Sequence, residues 1–151
     1  MNTAWAAKKG FTIIELLVVM VVIGILVTIT VVSYSGLQQR SRDSERASDI
    51  TQIKIAIEKY HSDKSGYPRV CPTDNTACSI TLLATELAPY LANIPHDPQF
   101  ASTPANDYVY AQSAVAYDAY AILVHYEAKP MCKTGSNVPL GWWGTTVPLC
   151  S

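Results

Sequence analysis

A single carboxylate, Glu15, lies inside the most apolar stretch of the chain, residues 11–32. A charged side chain costs roughly 2.5 to 3.5 kcal/mol at the centre of a membrane helix and less near its end, but it still requires a compensating partner. If the chain is cut after Gly10, the new amine of Phe11 would lie about one helical turn from Glu15. The chemistry that this segment indicates is therefore the pairing of an acid with an amine.

Four cysteines, Cys71, Cys78, Cys132 and Cys150, all lie in the polar part of the chain. An even number in a small domain favours disulfide bonds and a non-cytoplasmic location, the alternative being four buried thiols in the cytosol. No Cys-x-x-Cys pair occurs, which argues against a zinc ribbon or a redox motif. Three pairings are possible, and we predict the nearest-neighbour one, which closes a short loop and staples the C-terminal tail.

The sequence contains no recognisable catalytic or metal-binding pattern. The three histidines are far apart, and a Walker loop, a Gly-x-Ser-x-Gly sequence and a dinucleotide fingerprint are all missing. Asp97, Asp107 and Asp118 could supply calcium ligands, but they lack a fixed spacing and each is more typical of a turn or a cap. With a formal net charge of -1, the chain also lacks the basic footprint of a nucleic-acid-binding protein. We therefore predict a protein that is not an enzyme, without cofactor, metal or direct nucleic-acid binding.

The elements that position these residues follow from the hydrophobic pattern. A helix is predicted over residues 11–64, because the apolar run continues into a stripe with helical spacing. That stripe consists of Ile50, Ile53, Ile57 and Tyr60. The sequence Ser65-Gly66-Tyr67-Pro68 should end the helix, since glycine suits the C-terminal cap and proline cannot extend the helix.

The second half of the chain predicts a small head. A turn-rich loop is expected at 71–78, a short helical stretch at 80–91, and two antiparallel strands rich in Tyr, Val and Ile at 107–112 and 117–127. The tail from 131 onward contains many Gly and Pro residues, so no regular structure is predicted there. The predicted fold class is α+β: a long N-terminal helix, transmembrane in its first half, packed on a small antiparallel sheet with a disulfide-bonded C-terminal loop.

The segment KKGFTIIELLVVMVVIGILVTITVV resembles the N-terminus of type IV prepilins and of the related pseudopilins of type II secretion. The resemblance rests on Lys8 and Lys9 before Gly10, then Phe11, the acid Glu15 and an uncharged helix. It extends to YHSDKSGYP and to IPHDP followed by tyrosine-rich sequence. It implies a leader at 1–10, a transmembrane and assembly helix at 11–35, and a globular head at 36–151 that includes the outer half of the helix.

The resemblance also implies a pathway. A prepilin peptidase would cut between Gly10 and Phe11 and methylate the new amine of Phe11. The subunit would wait in the lipid of the cytoplasmic membrane as a single-pass protein with its head outside. An assembly platform and its ATPase would then polymerise it, with copies of itself and other pilins, into a helical filament at the cell surface. Glu15 would set the register by pairing with a neighbour's amine.

The particular task of the filament has alternative interpretations at this point. The leading hypothesis is a subunit of a type IV pilus, serving adhesion, twitching motility or DNA uptake. The alternative is a pseudopilin of a type II secretion system, which the small head and the IPHDP stretch indicate. Outside the family, the competing hypothesis is a membrane-anchored extracellular binding domain.

Two groups of surface residues also have alternative interpretations. Arg40, Arg42 and Arg46 could contact phospholipid headgroups or acids of a neighbouring subunit, or could form a solvated helix face paired with Asp43 and Glu45. Trp142 and Trp143 lie between glycines in a loop, where both rings cannot easily be buried, so they could serve subunit contact or surface recognition.

Overall fold

The computed structural model of the chain describes residues 10–73, 76–113, 118–139 and 141–150, without the side chains of 30–33 and 35. The chain divides into two units, Met1–Gln38 and Gln39–Ser151. Lys8 and Lys9 of the predicted leader lie outside the described residues.

The long helix α1 runs over Ile13–Lys64, which confirms the predicted helix apart from its first two residues. It ends at a residue in the left-handed conformation, Ser65 (φ 57°), whose N–H donates to the carbonyl of His61 at 2.8 Å. We expected the glycine at 66 to take the capping role, but the left-handed residue is the serine before it. Ser65 accepts the strain of that backbone because Gly66, Tyr67 and Pro68, which follow directly, are buried in the head.

Among the described residues, no helix is long and apolar enough to cross a membrane. The predicted membrane span at 11–35 is therefore not confirmed.

The head contains one four-stranded antiparallel sheet with the order β1-β2-β3-β4. The strands are β1 (Ala77–Ser79), β2 (Val109–Gln112), β3 (Tyr120–Val124) and β4 (Cys132–Ser136). The two central strands lie within the two predicted ones, at 107–112 and 117–127. The fold is α+β, as predicted, with the sheet beside the outer half of α1.

The two edge strands were not predicted. β1 falls at the end of the segment that we expected to be a turn-rich loop, and β4 falls in the tail that we expected to be irregular. β4 was not predicted because it contains a glycine, Gly135, which pairs with Ala121 of β3. A Cβ atom at this position would overlap the carbonyl oxygen of Tyr120 and lie 2.8 Å from the Cα atom of Ala121. Glycine at 135 is thus a requirement of close strand approach.

Between β1 and β2 the chain forms short helical turns. A 3₁₀ turn at Ile80–Leu83 leads into α2 (Ala84–Leu87), and a second 3₁₀ turn covers Pro104–Asn106. The predicted helical stretch at 80–91 is therefore confirmed as far as Leu87. Ser79 caps the first turn, because its hydroxyl accepts a hydrogen bond from the N–H of Thr81.

The core of the head lies between α1, the sheet and the short turns after β1. Ile53 and Ile57 of α1 are fully buried, which confirms the predicted stripe. Leu83 and Leu87, from the helical turns after β1, are fully buried in the same core. Burial of one such side chain contributes roughly 1.5 to 3 kcal/mol. On the sheet side the buried residues include Tyr110, Tyr120, Ile122 and Val124.

The tyrosines of the sheet also connect it to α1 through their hydroxyls. Tyr108 donates to Asp49 at 2.9 Å, and Tyr120 donates to Glu58 at 3.2 Å. Tyr110 donates to the carbonyl of Pro68 at 2.9 Å. Each ring is thus buried while its hydroxyl keeps a partner, which is the arrangement that makes tyrosine suitable for a core.

The structure pairs Cys71 with Cys78 and Cys132 with Cys150, the nearest-neighbour choice among three. The second bond ties the start of β4 to the C-terminal loop, as the predicted fold class requires. The backbone supports the same closure: Lys133 N–H donates to the Pro148 carbonyl, and the Cys150 N–H donates to the Lys133 carbonyl, both at 2.9 Å.

Removing the longer bond with the double substitution Cys132→Ser and Cys150→Ser should lower the free energy of unfolding by about 3 kcal/mol on the chain-entropy estimate. Removing Cys71–Cys78 in the same way should cost less, because its loop spans 7 residues instead of 18. Urea unfolding of the two double variants gives both values. Equal losses, or a larger loss from the shorter loop, would contradict the estimate.

Candidate assembly site

The peptide bond between Gly10 and Phe11 lies before the start of α1, and both residues are exposed. Among the described residues, nothing lies within 4 Å of the position that a Cβ atom would take at Gly10. The described structure therefore leaves room for a larger residue at position 10, and the bond is exposed to solvent.

Thr12 and Glu15 form a reciprocal cap at the start of α1. The Glu15 carboxylate accepts from the Thr12 N–H at 2.8 Å and from the Thr12 hydroxyl at 2.9 Å. The Glu15 N–H in turn donates to the Thr12 hydroxyl at 3.3 Å. This is the capping-box arrangement, in which a Thr and a Glu three residues apart satisfy N–H groups that have no partner in the helix.

The capping box gives Glu15 a partner that we did not predict from the sequence. From the sequence we had considered an amine as the partner of this acid, or an acid that reaches outward to lipid headgroups and water. The pattern Thr-x-x-Glu ahead of an apolar run is a known signature of a helix start, so the signal was present in residues 12–15. Glu15 therefore has hydrogen-bond partners within one molecule, before any second molecule is near.

The first turns of α1 present apolar side chains in every direction. Across residues 11–29 the large apolar side chains are all exposed, from 49% at Val22 to 87% at Phe11. A helix that is apolar on all sides must be covered by lipid or by other helices. Thr28 does not interrupt this surface, because its hydroxyl donates to the carbonyl of Gly24 at 2.8 Å.

In the head, Arg46 is the centre of a buried ion-pair network. Only 1% of Arg46 is exposed, and it binds Asp97 through two hydrogen bonds, at 2.6 and 3.0 Å. It also donates to Asp43 at 2.7 Å and to Glu127 at 2.9 Å. These contacts raise the pKa of Arg46, with the bond to Asp97 as the main cause. A buried charge needs this kind of complete pairing.

Glu127 and Asp43 extend the network to the segment between β3 and β4. Arg42 donates twice to Glu127, at 2.5 and 2.6 Å, and its hydrogen bonds, followed by those of Arg46, lower the pKa of Glu127 to about 2. The carboxylate of Asp43 accepts from the N–H groups of Glu127 and Ala128, both at 2.9 Å. One turn of α1 is thus tied to two separate loops of the head.

The predicted pairing with Asp43 is confirmed for Arg46, but the predicted solvated face and the lipid or subunit contact are wrong for it, and both interpretations are incomplete for Arg42. Arg46 is neither solvated nor available to lipid, and its partners Asp97 and Glu127 are 51 and 81 residues away in the sequence. Arg40 is exposed, so it alone keeps the options that we assigned to the group. The helical period could have indicated this, because Arg46 lies on the same face as Ile50 and Ile53.

Two of the three aspartates that could have bound calcium have other partners. Asp97 is paired with Arg46, and Asp107 accepts from the N–H of Asp97 at 3.1 Å and bonds the ring of His96 at 2.8 Å. Within the part of the chain that the structure describes, no group of three or more His, Cys, Asp or Glu residues could hold a metal ion. These carboxylates contribute to the loop between α2 and β2.

The C-terminal loop is held by a lysine. The side chain of Lys133, only 2% exposed, donates to the carbonyl of Trp142 at 2.8 Å and to that of Gly144 at 3.4 Å. Between them, Trp143 has a φ of 55°, unusual for so large a residue. The two indoles are half-buried and meet edge to face, with ring centroids 6.3 Å apart. Their assignment to subunit contact or surface recognition stays a prediction.

Comparisons with known proteins agree with this architecture. The family described as the prokaryotic N-terminal methylation motif matches residues 5–31. Type II secretion system core protein G of Escherichia coli (strain K12) is 29% identical over 141 residues, 91% of this chain and 92% of that protein. The protein of the same name from Vibrio cholerae is 30% identical over 110 residues, 68% of this chain and 70% of that protein. Fimbrial protein EcpC of Eikenella corrodens is 41% identical over 73 residues, 48% of this chain and 45% of that protein. No solved structure matches the chain.

An exposed apolar helix with one capped acid, joined to a small α+β head, defines a pilin-like protein. The chain belongs to the prepilin and pseudopilin family.

Maturation gives the first test of the site. The mature chain should begin at Phe11 with a methylated amine, and Gly10→Leu should leave the leader uncut, because the peptidase must bind the exposed residue at this position. Mass spectrometry of the N-terminus, on protein from its own host, measures both. Filaments whose subunits still begin at Met1 would contradict the predicted cleavage.

Proposed function

We propose that this chain is a pseudopilin of a type II secretion system. The observation that carries the proposal is the extent of the similarity to core protein G, which covers 91% of the chain and so includes the head. The fimbrial relative covers 48% of the chain. The N-terminal segment is common to both classes, so the head is the part that can distinguish them. The findings thus favour the alternative over our leading hypothesis of a type IV pilus subunit.

The proposed role is structural. After cleavage between Gly10 and Phe11, the apolar surface of residues 11–29 is covered by membrane lipid, and later by the helices of neighbouring subunits. During storage in the membrane, Thr12 supplies hydrogen bonds to Glu15. In the filament Glu15 pairs with the amine of a neighbour's Phe11, because an acid without a counter-charge is unfavourable among packed helices.

The partners follow from this role. They are a prepilin peptidase, copies of the chain, other pilins, and an assembly platform with its ATPase. We propose that the subunit lies in the cytoplasmic membrane with its head outside; the two disulfide bonds of the head, which fit an oxidising compartment, support this location. The relatives are structural proteins, so the chain is proposed to carry no catalytic activity of its own.

A type IV pilus subunit is the second candidate, and the match to fimbrial protein EcpC favours it. Deleting the gene in the host separates the two. The proposal predicts that exported enzymes accumulate inside the cell envelope while surface pili and twitching remain normal, and that the wild-type gene restores export. Normal export together with a loss of pili would overturn the proposal in favour of the second candidate.

A further inference from the structure

The face of α1 that points away from the core of the head carries a groove with an apolar centre. Ile55 lies two residues after the buried Ile53, about 200° around the helix, and is 51% exposed. Around it a groove of about 440 Å³ is lined by Thr51, Lys54, Glu58, Lys59 and Ser62. An apolar side chain framed by polar groups is the usual composition of a protein contact.

The groove has an excess of positive charge near Ile55. Glu58 is directed toward the sheet, since its carboxylate accepts from the hydroxyls of Tyr67 and Tyr120. Lys54 donates to a neutral hydroxyl, that of Thr134, at 3.2 Å. Lys59 is exposed on the other side of Ile55. The side chain that fits this groove is therefore apolar and accompanied by a carboxylate.

The same head presents a side chain of this kind on a different face. Leu82 is 44% exposed on the turn whose other side buries Leu83 and Leu87 in the core. Glu86 follows four residues later and is also exposed, and its carboxylate accepts a hydrogen bond from Tyr60. Residues four apart on a helical turn are neighbours, so this surface combines an apolar side chain with an acid. The acid is flanked by two cations, because Lys64 and Arg69 line the same cleft as Glu86.

Other exposed apolar side chains of the described head fit less well. Leu149 shares a cleft with Lys129, which has the same charge as the groove, and Met131 follows that lysine by two residues. Phe100 is already stacked on a histidine ring, with centroids 4.5 Å apart. Among the exposed apolar side chains of the described head outside the groove, Leu82 is thus the one accompanied by an exposed neighbouring acid, Glu86.

We propose that the groove around Ile55 binds Leu82 and Glu86 of a second copy of this chain, with Glu86 near Lys54 and Lys59. The inference rests on the proposed function, which supplies the second copy. The groove and the Leu82 surface are different patches of one molecule, so the contact is heterologous, and each copy can use both patches at once. A repeated heterologous contact that does not close into a ring produces a helical filament.

Crosslinking in assembled material tests the contact. Two differently tagged full-length chains, one with Ile55→Cys and one with Leu82→Cys, are expressed together in the host, and sheared filaments are mildly oxidised. The native cysteines are paired, so they do not compete. A disulfide-linked dimer carrying both tags is expected, while either variant alone should give none. The matched control pairs Ile55→Cys with Phe100→Cys, a position that is exposed to a similar extent as Leu82 and is distant in sequence from every native cysteine, and this pair should not crosslink.

Charge reversal gives an independent measurement. Lys59→Glu should lower the filament yield by about fivefold or more, because it places like charges opposite each other in the contact. Adding Glu86→Lys in the same chain should restore most of the yield. A crosslink formed by Ile55→Cys alone would overturn the contact but leave the proposed function intact. The same conclusion would follow from normal filaments that show neither the crosslink between the Ile55→Cys and Leu82→Cys chains nor the charge rescue. A wild-type chain that forms no filament in its host would overturn both.

Discussion

Glu15→Val should produce a subunit that is inserted, cleaved and correctly folded in its head, but that enters filaments about tenfold less than the wild type or worse. The reason is that the amine of a neighbour's Phe11 would have no counter-charge among packed helices. In the wild type, displacing a subunit along the filament axis would separate the Glu15 carboxylate from its amine. Without Glu15 this penalty is lost, so the correct position would no longer be favoured over a displaced one. Comparing the membrane fraction with the sheared filament fraction measures the effect.

Two matched variants separate the charge of Glu15 from its capping role. Glu15→Gln removes the charge but keeps an oxygen that can accept from the Thr12 N–H, while Thr12→Ala removes the hydroxyl of the cap and keeps the charge. We expect Glu15→Gln to assemble as poorly as Glu15→Val, and Thr12→Ala to retain most of its assembly. The opposite order would show that the cap, and not the charge, controls assembly. Normal yield from Glu15→Val would exclude a role in register.

Arg46→Met should destabilise the head by about 3 to 5 kcal/mol, the cost of removing one partner of a buried ion pair. Methionine fills part of the space, but it leaves the carboxylates of Asp97 and Asp43 buried without their cation. Urea unfolding of the full-length chain in detergent, followed by tryptophan fluorescence, measures the loss.

The same helix provides two controls for Arg46. Arg40→Met changes an exposed residue and should leave stability unchanged, while Arg42→Met removes a partly exposed partner of Glu127 and should have a much smaller effect than Arg46→Met. The expected order is therefore Arg46, Arg42, Arg40. Equal losses of unfolding free energy from all three variants would mean that substitution in the helix itself, and not the loss of the ion-pair network, destabilises the head.

The sequence predicted those parts of the fold that depend on local pattern. The helix, its end after Lys64, the two central strands and the helical turn after Ser79 all follow from periodicity and from residues that stop helices. The N-terminal site was predicted from a motif, but the cap of Glu15 on Thr12 was overlooked, because the acid was considered only as a charge.

What could not be predicted depends on contacts between distant parts of the chain. The partners of Arg46 come from two loops, and no local pattern identifies which acids those loops bring to the helix. β4 was missed for a similar reason. Glycine is normally read as a strand breaker, and only the neighbouring strand shows why position 135 cannot hold a Cβ atom.

The buried tyrosines have a consequence for how the head can be observed. Burial raises the pKa of Tyr108, Tyr110 and Tyr120 above the ordinary value near 10. These phenols therefore stay neutral in the folded head at a pH where unfolded tyrosine ionises. Since the unfolded state loses these protons first, stability falls as the pH rises above about 10. Phenolate absorbance during an alkaline titration would then report unfolding of heads without any label, both in free subunits and inside an intact fibre.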